Sequence, residues 1–238
     1  MKNVLITGGS RGIGREMVLR FSKEGYNTFF FYQRDVVSAE EVMRLCGATG
    51  IRCDVSIGEE VRRGFDIIHQ KCKGIDILIN NAGISEIKPF LDITDEQWKR
   101  MLSVTLDGAY YCSKLALSDM LEKKWGRVIN ISSIWGQIGA SCEVHYSTAK
   151  AGLIGMTKAL AMEFAPSGIT VNCIAPGMID TDMNREIDND AINSFIEEIP
   201  VSRMGSAQEV ADLAFYISSN SASYITGQVF GINGGYVM

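Results

Sequence analysis

The chain has 238 residues, 46% of them hydrophobic and 21% charged, the balance of a folded globular protein and not of a disordered one. No Pro/Gly/Ser-rich linker or charge block divides it, so one α/β domain spanning 1–238 with a large core is expected. A formal charge of −5 speaks against a nucleic-acid partner, and no apolar run is long enough to span a bilayer, so neither nucleic acid nor membrane is expected as a partner.

In chain order, short apolar runs alternate with longer helical patterns. Strands are expected at 2–7, 27–32, 50–53, 75–80, 127–132, 169–175 and 228–232. Several are apolar almost throughout, as Ile75-Asp76-Ile77-Leu78-Ile79 shows, which suits parallel strands covered on both faces. Helical patterns fall at 14–24, 95–122 and 144–165. This alternation predicts an α/β fold: a single Rossmann-type, doubly wound parallel sheet of about seven strands with helices on both faces. The stretch 182–199, polar and then helical, is either a lid over a cleft or an ordinary insertion. Cys46, Cys53, Cys72, Cys112, Cys142 and Cys173 lack metal-ligand spacing, and His69 and His145 add no metal site. Reduced thiols, a cytoplasmic location and no bound metal are the expectation.

The first strand ends in Thr7-Gly8-Gly9-Ser10-Arg11-Gly12-Ile13-Gly14, directly before a helix. Glycines permit a tight turn and close approach of backbone N–H groups, and the helix N-terminus adds a positive dipole end, so this loop suits a pyrophosphate. The second strand ends in Phe31-Tyr32-Gln33-Arg34, with Tyr32 where an NAD-preferring protein carries an acidic side chain and Asp35 a few residues late. Arg11 and Arg34 offer planar donor forks for a 2′-phosphate, which puts NADPH ahead of NADH. Asp54, followed by Val55, either meets the adenine edge or caps a turn.

Further along come Asn80-Asn81-Ala82-Gly83, then Ser132-Ser133, then Tyr146-Ser147-Thr148-Ala149-Lys150. Residues four apart share a helix face, so an ammonium is expected near the phenol, lowering the tyrosine pKa and readying it for proton transfer.

Together the residue 7–14 loop, Asn80-Asn81-Ala82-Gly83, Ser133, Tyr146-x-x-x-Lys150 and Pro176-Gly177 resemble the short-chain dehydrogenase/reductase family over essentially the whole chain. Within that family the similarity is greatest to bacterial β-ketoacyl-acyl-carrier-protein reductases, through strings such as Lys150-Ala151-Gly152-Leu153-Ile154-Gly155 and Tyr224-Ile225-Thr226-Gly227. The resemblance implies that Tyr146 donates a proton to a ketone oxygen as hydride arrives, that Ser133 polarises that carbonyl, and that Lys150 holds the nicotinamide ribose. It also implies that Asn81, Ala82 and Gly83 lie along the cofactor, that Pro176, Gly177 and Ile179 shape the nicotinamide pocket, and that Thr181 reaches the cofactor's polar groups. The implied reaction is reduction of a 3-oxoacyl thioester on an acyl carrier protein, in fatty-acid synthesis. Another ketone or alcohol substrate, or a non-catalytic NADPH-binding role, are the alternatives.

One departure stands out: Thr105, in Leu102-Ser103-Val104-Thr105, occupies the place where the family carries an asparagine that bends the helix and holds a relay water. A hydroxyl can bind a water but lacks the separate carbonyl and NH₂ of an amide. Lys123, Lys124 and Arg127 form a candidate basic patch for an acidic carrier protein, or simply a solvated helix end. Segments 84–91 and 182–199 are where the substrate pocket is expected. Small residues at Ala149, Ala151, Gly152, Gly155, Ala159 and Ala161 favour close helix approach, and the resemblance implies a homotetramer.

Overall fold

The computed structural model describes residues 1–182 and 188–238. Seven strands form one parallel sheet: β1 (Asn3–Thr7), β2 (Asn27–Tyr32), β3 (Thr49–Arg52), β4 (Ile77–Asn80), β5 (Gly126–Ile131), β6 (Ile169–Pro176) and, last in the chain, β9 (Val229–Ile232), in the order β3-β2-β1-β4-β5-β6-β9. Each lies where the apolar runs predict it, within two residues at either end. β1 pairs with both β2 and β4, so the strand order reverses there and opens a crevice at the carboxyl ends of the strands.

The strands are apolar throughout because both faces are buried, and their two-residue period divides the core. Leu5, Phe29, Phe31, Leu78 and Val128 pack on one side, against α3 (Gly58–His69) and α5 (Gly108–Lys123). Val4, Ile6, Phe30, Ile77 and Ile79 pack on the other, against α1 (Gly12–Lys23), α2 (Val36–Cys46) and α9 (Ala207–Ser218). Two further helices, α6 (Ile134–Ile138) and α7 (Val144–Phe164), follow β5.

The single helix expected at 95–122 is in fact α4 (Asp95–Leu102), a π-helical turn (Ser103–Asp107) and α5. The wider turn swings Thr105 inward, where it is 1% exposed. Gly108, just beyond, lies so close to Val55 that a Cβ would meet its Cγ2 at 2.9 Å.

The stretch 182–199 contains α8 (Asn189–Glu198), and its residues 183–187 lie outside the described ones. Two short strands, β7 (Ile179–Asp180) and β8 (Gly205–Ser206), pair on either side of it. Among the described residues no helix is long and apolar enough to cross a membrane. All six cysteines are free thiols.

The candidate basic patch lies at the end of the sheet away from the crevice. Lys123 Nζ is committed to Asp76 Oδ1 at 2.8 Å and the Gly74 carbonyl at 2.9 Å, and Arg127 is 2% exposed. Both sit at the amino end of β5, roughly 20 Å of strand away from its carboxyl end. A buried guanidinium and a paired ammonium leave Lys124 alone exposed there.

Candidate active site

The glycine loop leaves β1 and enters α1 as its sequence requires. Gly8 and Gly12 take positive φ, 68° and 54°, where a side chain would be strained. At Gly14 a Cβ would lie 2.1 Å from the Gly8 carbonyl oxygen and 2.6 Å from Asn81 Nδ2, so only glycine closes the turn. Asn81 fastens this loop: its Nδ2 donates to the Thr7 carbonyl at 3.0 Å and the Gly8 carbonyl at 3.2 Å. Thr7 Oγ1 in return accepts from the backbone N–H groups of Asn81 and Ala82 at 3.0 and 2.9 Å. Among the described residues no side chain caps the first turn of α1, which leaves its amide donors for an anion.

Beyond the loop lies a cleft of about 770 Å³. It gathers Gly8, Ser10, Arg11, Gly12, Ile13, Gly14, Tyr32, Gln33, Arg34, Asp54, Val55, Asn81, Ala82, Gly83 and Thr181 from the positions read in the sequence. Its size, its glycine cradle and its open helix terminus fit a dinucleotide.

Asp54 does double service. Its Oδ1 accepts from the Ser56 backbone at 3.0 Å and the Ser56 hydroxyl at 2.6 Å, and Gln33 Nε2 donates to Oδ2. Burial raises its pKa, but the Ser56 hydrogen bonds and the Arg100 guanidinium outweigh that and hold the carboxyl below its ordinary value. Arg100, from α4, donates to Ser56 Oγ at 2.8 Å and was not singled out by the sequence; nothing but its place on a face of α4 marks it. Asp35, which also lines the cleft, caps α2 by accepting from Ser38 N–H at 3.0 Å through Oδ1. The side chains of Arg11 and Arg34 make neither a hydrogen bond nor an ion pair among the described residues.

Ser133, Tyr146 and Lys150 lie behind the end of the cleft that Gly83 forms, and none of them lines it. A Cβ placed on Gly83 would be 3.4 Å from Lys150 Nζ and 3.8 Å from Thr105 Oγ1, so amine and threonine hydroxyl converge there. Lys150 Nζ donates to the Ile131 carbonyl at 2.8 Å and lies 5.6 Å from the Tyr146 ring centre. Ser133 caps α6, its Oγ accepting from Trp135 N–H at 3.1 Å, which leaves its own hydrogen to donate. Pro176 ends β6, Gly177 donates from its N–H to the Ile232 carbonyl at 3.0 Å and Ile179 is buried in β7; these three do not reach the cleft wall.

The expected lowering of the tyrosine pKa is not what the structure shows. Burial pushes the Tyr146 phenol up to about 12, with hydrogen bonding to Ser133 opposing it. Burial likewise pushes Lys150 down to about 8. Lys150 Nζ is turned to the Ile131 carbonyl, and removal of each group from water dominates its shift. The phenol thus stays protonated at neutral pH, the form that donates.

A crevice at the strand-order switch, a glycine-cradled helix terminus and a buried Ser–Tyr–Lys set define a dinucleotide-dependent oxidoreductase. A family model described as enoyl-(acyl carrier protein) reductase matches residues 8–237, and the chain belongs to the short-chain dehydrogenase/reductase family, whose cofactor is a nicotinamide dinucleotide. It is 40% identical to the 3-oxoacyl-[acyl-carrier-protein] reductase of Aquifex aeolicus over 97% of this chain and 95% of that one. It is 36% identical to the protein of the same name from Staphylococcus epidermidis, over 100% and 99% of the two chains. The Buchnera aphidicola protein of that name is 34% identical, over 100% and 98%.

Proposed function

We propose that this chain reduces the ketone of a 3-oxoacyl thioester carried on an acyl carrier protein, using NADPH, in fatty-acid synthesis. The observation that carries the reading is the pair of hydroxyl donors. Tyr146 is kept protonated by burial, and Ser133, which accepts from Trp135 N–H, keeps its hydroxyl hydrogen on the side of Tyr146. Two preset donors suit an oxygen on which negative charge develops. Full-length similarity to three proteins named as 3-oxoacyl reductases supports the ketone over the carbon–carbon double bond in the family model's description.

The bound nicotinamide supplies the hydride. Tyr146 gives its phenolic proton to the ketone oxygen, and Ser133 donates to that same oxygen. Lys150 spends one N–H on the Ile131 carbonyl and keeps two, for the ribose hydroxyls and the phenol. Thr105 Oγ1, beside Lys150, is placed to hold a water that returns a proton to the pair; its contact with Met101 Sδ, at 4.0 Å, is weak enough to yield. The loop amides and α1 would hold the pyrophosphate, Asp54 and Val55 would meet the adenine, and Tyr32, Gln33, Arg34 and Arg11 would take the 2′-phosphate. Arg11 and Arg34, both on the cleft wall, support NADPH over NADH. Pro176, Gly177 and Ile179 back the nicotinamide pocket from behind the cleft wall.

We extend the reading to a cytoplasmic homotetramer built on α5 and α7. Tyr110 and Met162 are 49% and 83% exposed there, and a Cβ on Gly155 would meet nothing within 4 Å, so these helices present an open face of small and apolar residues.

The test is NADPH consumption with acetoacetyl-acyl-carrier protein and, separately, crotonyl-acyl-carrier protein, with Tyr146→Phe as control. Turnover of the first alone, lost in the variant, supports the reading; turnover of the crotonyl substrate alone overturns it. Binding of NADPH without consumption of either would point to another ketone.

A further inference from the structure

Tyr146 sits in the first turn of α7, and among the described residues no side chain caps that turn. A helix end without a cap has unpaired amide donors and frays. The backbone just ahead of the turn adds strain, because Cys142 adopts φ 59°, a left-handed conformation that disfavours a side chain. Other contacts must therefore hold the phenol in place.

Those contacts come from the segment that follows Gly83. Lys88 N–H donates to the Cys142 carbonyl at 2.6 Å, Ser85 Oγ donates to Glu143 Oε1 at 3.1 Å, and His145 Nε2 lies 3.6 Å from Glu86 Oε2. The stretch 85–88 is thus fastened to 142–145, directly ahead of Tyr146. Ile84 and Ser85 also line the cleft beside Gly83, so one short segment is both cleft wall and buttress. It is tied in turn to α4. Gln97 Nε2 donates to Glu86 Oε1, and Gln97 Oε1 accepts from Lys88 Nζ at 2.9 Å and from Thr94 N–H at 3.0 Å, closing the capping box of that helix.

His145 is the member that packing does not explain. Its ring is fully buried, and neither Nδ1 nor Nε2 has a hydrogen-bond partner among the described residues. A leucine would fill the space without taking two ring nitrogens out of water. Among the described residues Glu86 is the one carboxylate within ion-pair distance of the ring, and its Oε2 is the oxygen that Gln97 leaves open. An imidazole carrying its hydrogen on Nε2 turns a donor to that oxygen.

We propose that His145 is a positioning residue for the proton donor: clasped to Glu86, it does the work of the missing helix cap and fixes Tyr146 against the cleft wall. The proposal rests on the reading of Tyr146 as proton donor to a 3-oxoacyl thioester. Loosening the clasp lets the first turn of α7 shift, and a reacting group misplaced by about 1 Å loses on the order of a hundredfold in rate. The glycine loop lies on the far side of Gly83, so cofactor binding does not depend on the clasp.

The experiment measures acetoacetyl-acyl-carrier-protein turnover and NADPH affinity for His145→Leu, Glu86→Ala, their double variant and His145→Gln. In each of the first two, kcat is expected to fall at least about tenfold while the Kd for NADPH stays within about twofold of wild type. The double variant should be no slower than the slower single one, to within about twofold, because both changes remove one link. His145→Gln, whose amide can donate toward Glu86, should return to within about threefold of wild type. Unchanged kcat in both single variants, losses that multiply in the double variant, or a glutamine no better than leucine overturns the clasp. NADPH affinity falling in step with kcat also overturns it, since general loosening would do that. The Glu86 side chain is 38% exposed, so Glu86→Ala folds and decides the matter even where His145→Leu does not. All these outcomes leave the thioester reading standing; a wild-type enzyme that does not consume NADPH with the thioester sinks that reading, and the positioning role with it.

Discussion

Gly14→Ala puts the glycine loop to its sharpest test. The added Cβ would lie 2.1 Å from the Gly8 carbonyl oxygen and 2.6 Å from Asn81 Nδ2, against an ordinary contact above 3.4 Å. Gly8 is backbone and Asn81 is held by two hydrogen bonds, so neither can give way like the end of a loose side chain. Something must move by about 1 Å, an overpacking that costs about 1–3 kcal/mol. Alanine's better helix propensity returns up to about 1 kcal/mol, because Gly14 lies in the first turn of α1. With the full return, the net loss is up to about 2 kcal/mol, which lowers Tm by up to roughly 8 °C for a chain of this size. Dinucleotide affinity should fall further, at least about tenfold, because the displaced Gly8 and Asn81 belong to the cradle itself. Differential scanning calorimetry and fluorescence titration with NADPH measure the two effects. Gly12→Ala is the control: it sits at φ 54°, but its Cβ would meet only Thr181, at 3.5 Å, so its cost is backbone strain without collision. A Gly14→Ala protein that melts within a degree of wild type and binds NADPH undiminished would refute the cradle.

Lys150→Met should change how stability depends on pH. With the folded pKa lowered from 10.5 to about 8, the unfolded chain holds more protons than the folded one between those values. Wild-type stability from this group therefore rises as pH climbs from about 8 to 10.5, by about 3 kcal/mol, and the variant lacks that rise; parallel pH profiles in urea titrations would contradict the burial argument. Arg11→Ala and Arg34→Ala should each weaken NADPH binding about 10–100-fold and leave NADH binding unchanged, read by titration with both cofactors; equal losses for the two would remove the 2′-phosphate assignment. Thr105→Val keeps shape and removes the hydroxyl, so kcat should fall about 10–100-fold at unchanged Tm, and unchanged kcat would exclude Thr105 from proton return.

Much of the architecture was legible because it follows from local rules. Each parallel strand, apolar on both faces, announces itself as a short run such as Phe29-Phe30-Phe31, and the glycine loop can sit nowhere but at a strand end. The π-helical turn was not legible: the sequence through Thr105 keeps helical character, and the departure depends on contacts such as that of Gly108 with Val55. The same limit explains Arg100, whose partners Asp54 and Ser56 are more than forty positions away. The tyrosine pKa went the other way because spacing reports which groups share a face, whereas burial, set by the whole fold, decides their charge. Likewise the cluster Lys123, Lys124 and Arg127 is basic in composition, yet in the fold one member is paired and another buried.

What places Tyr146 and Lys150 is a chain of buried polar groups beneath them. Asn80 Nδ2, at the end of β4, donates to Asn130 Oδ1 at 2.8 Å and to Ser113 Oγ of α5 at 3.0 Å. Asn130 Nδ2, on β5, donates to Thr157 Oγ1 of α7 at 2.8 Å, and Thr157 donates to the Leu153 carbonyl in the preceding turn. Ser132 Oγ donates to the Lys150 carbonyl at 2.8 Å, and Gly136 brings α6 so close that a Cβ would meet the Lys150 carbonyl carbon at 2.8 Å. An apolar core could hold α7 against the sheet at many rotations of nearly equal energy, whereas these directional bonds admit one. The rotation they select turns Tyr146 toward Ser133 and Lys150 toward Gly83, so the polar residues of β4 and β5 set the geometry of the candidate site although none of them lines the cleft.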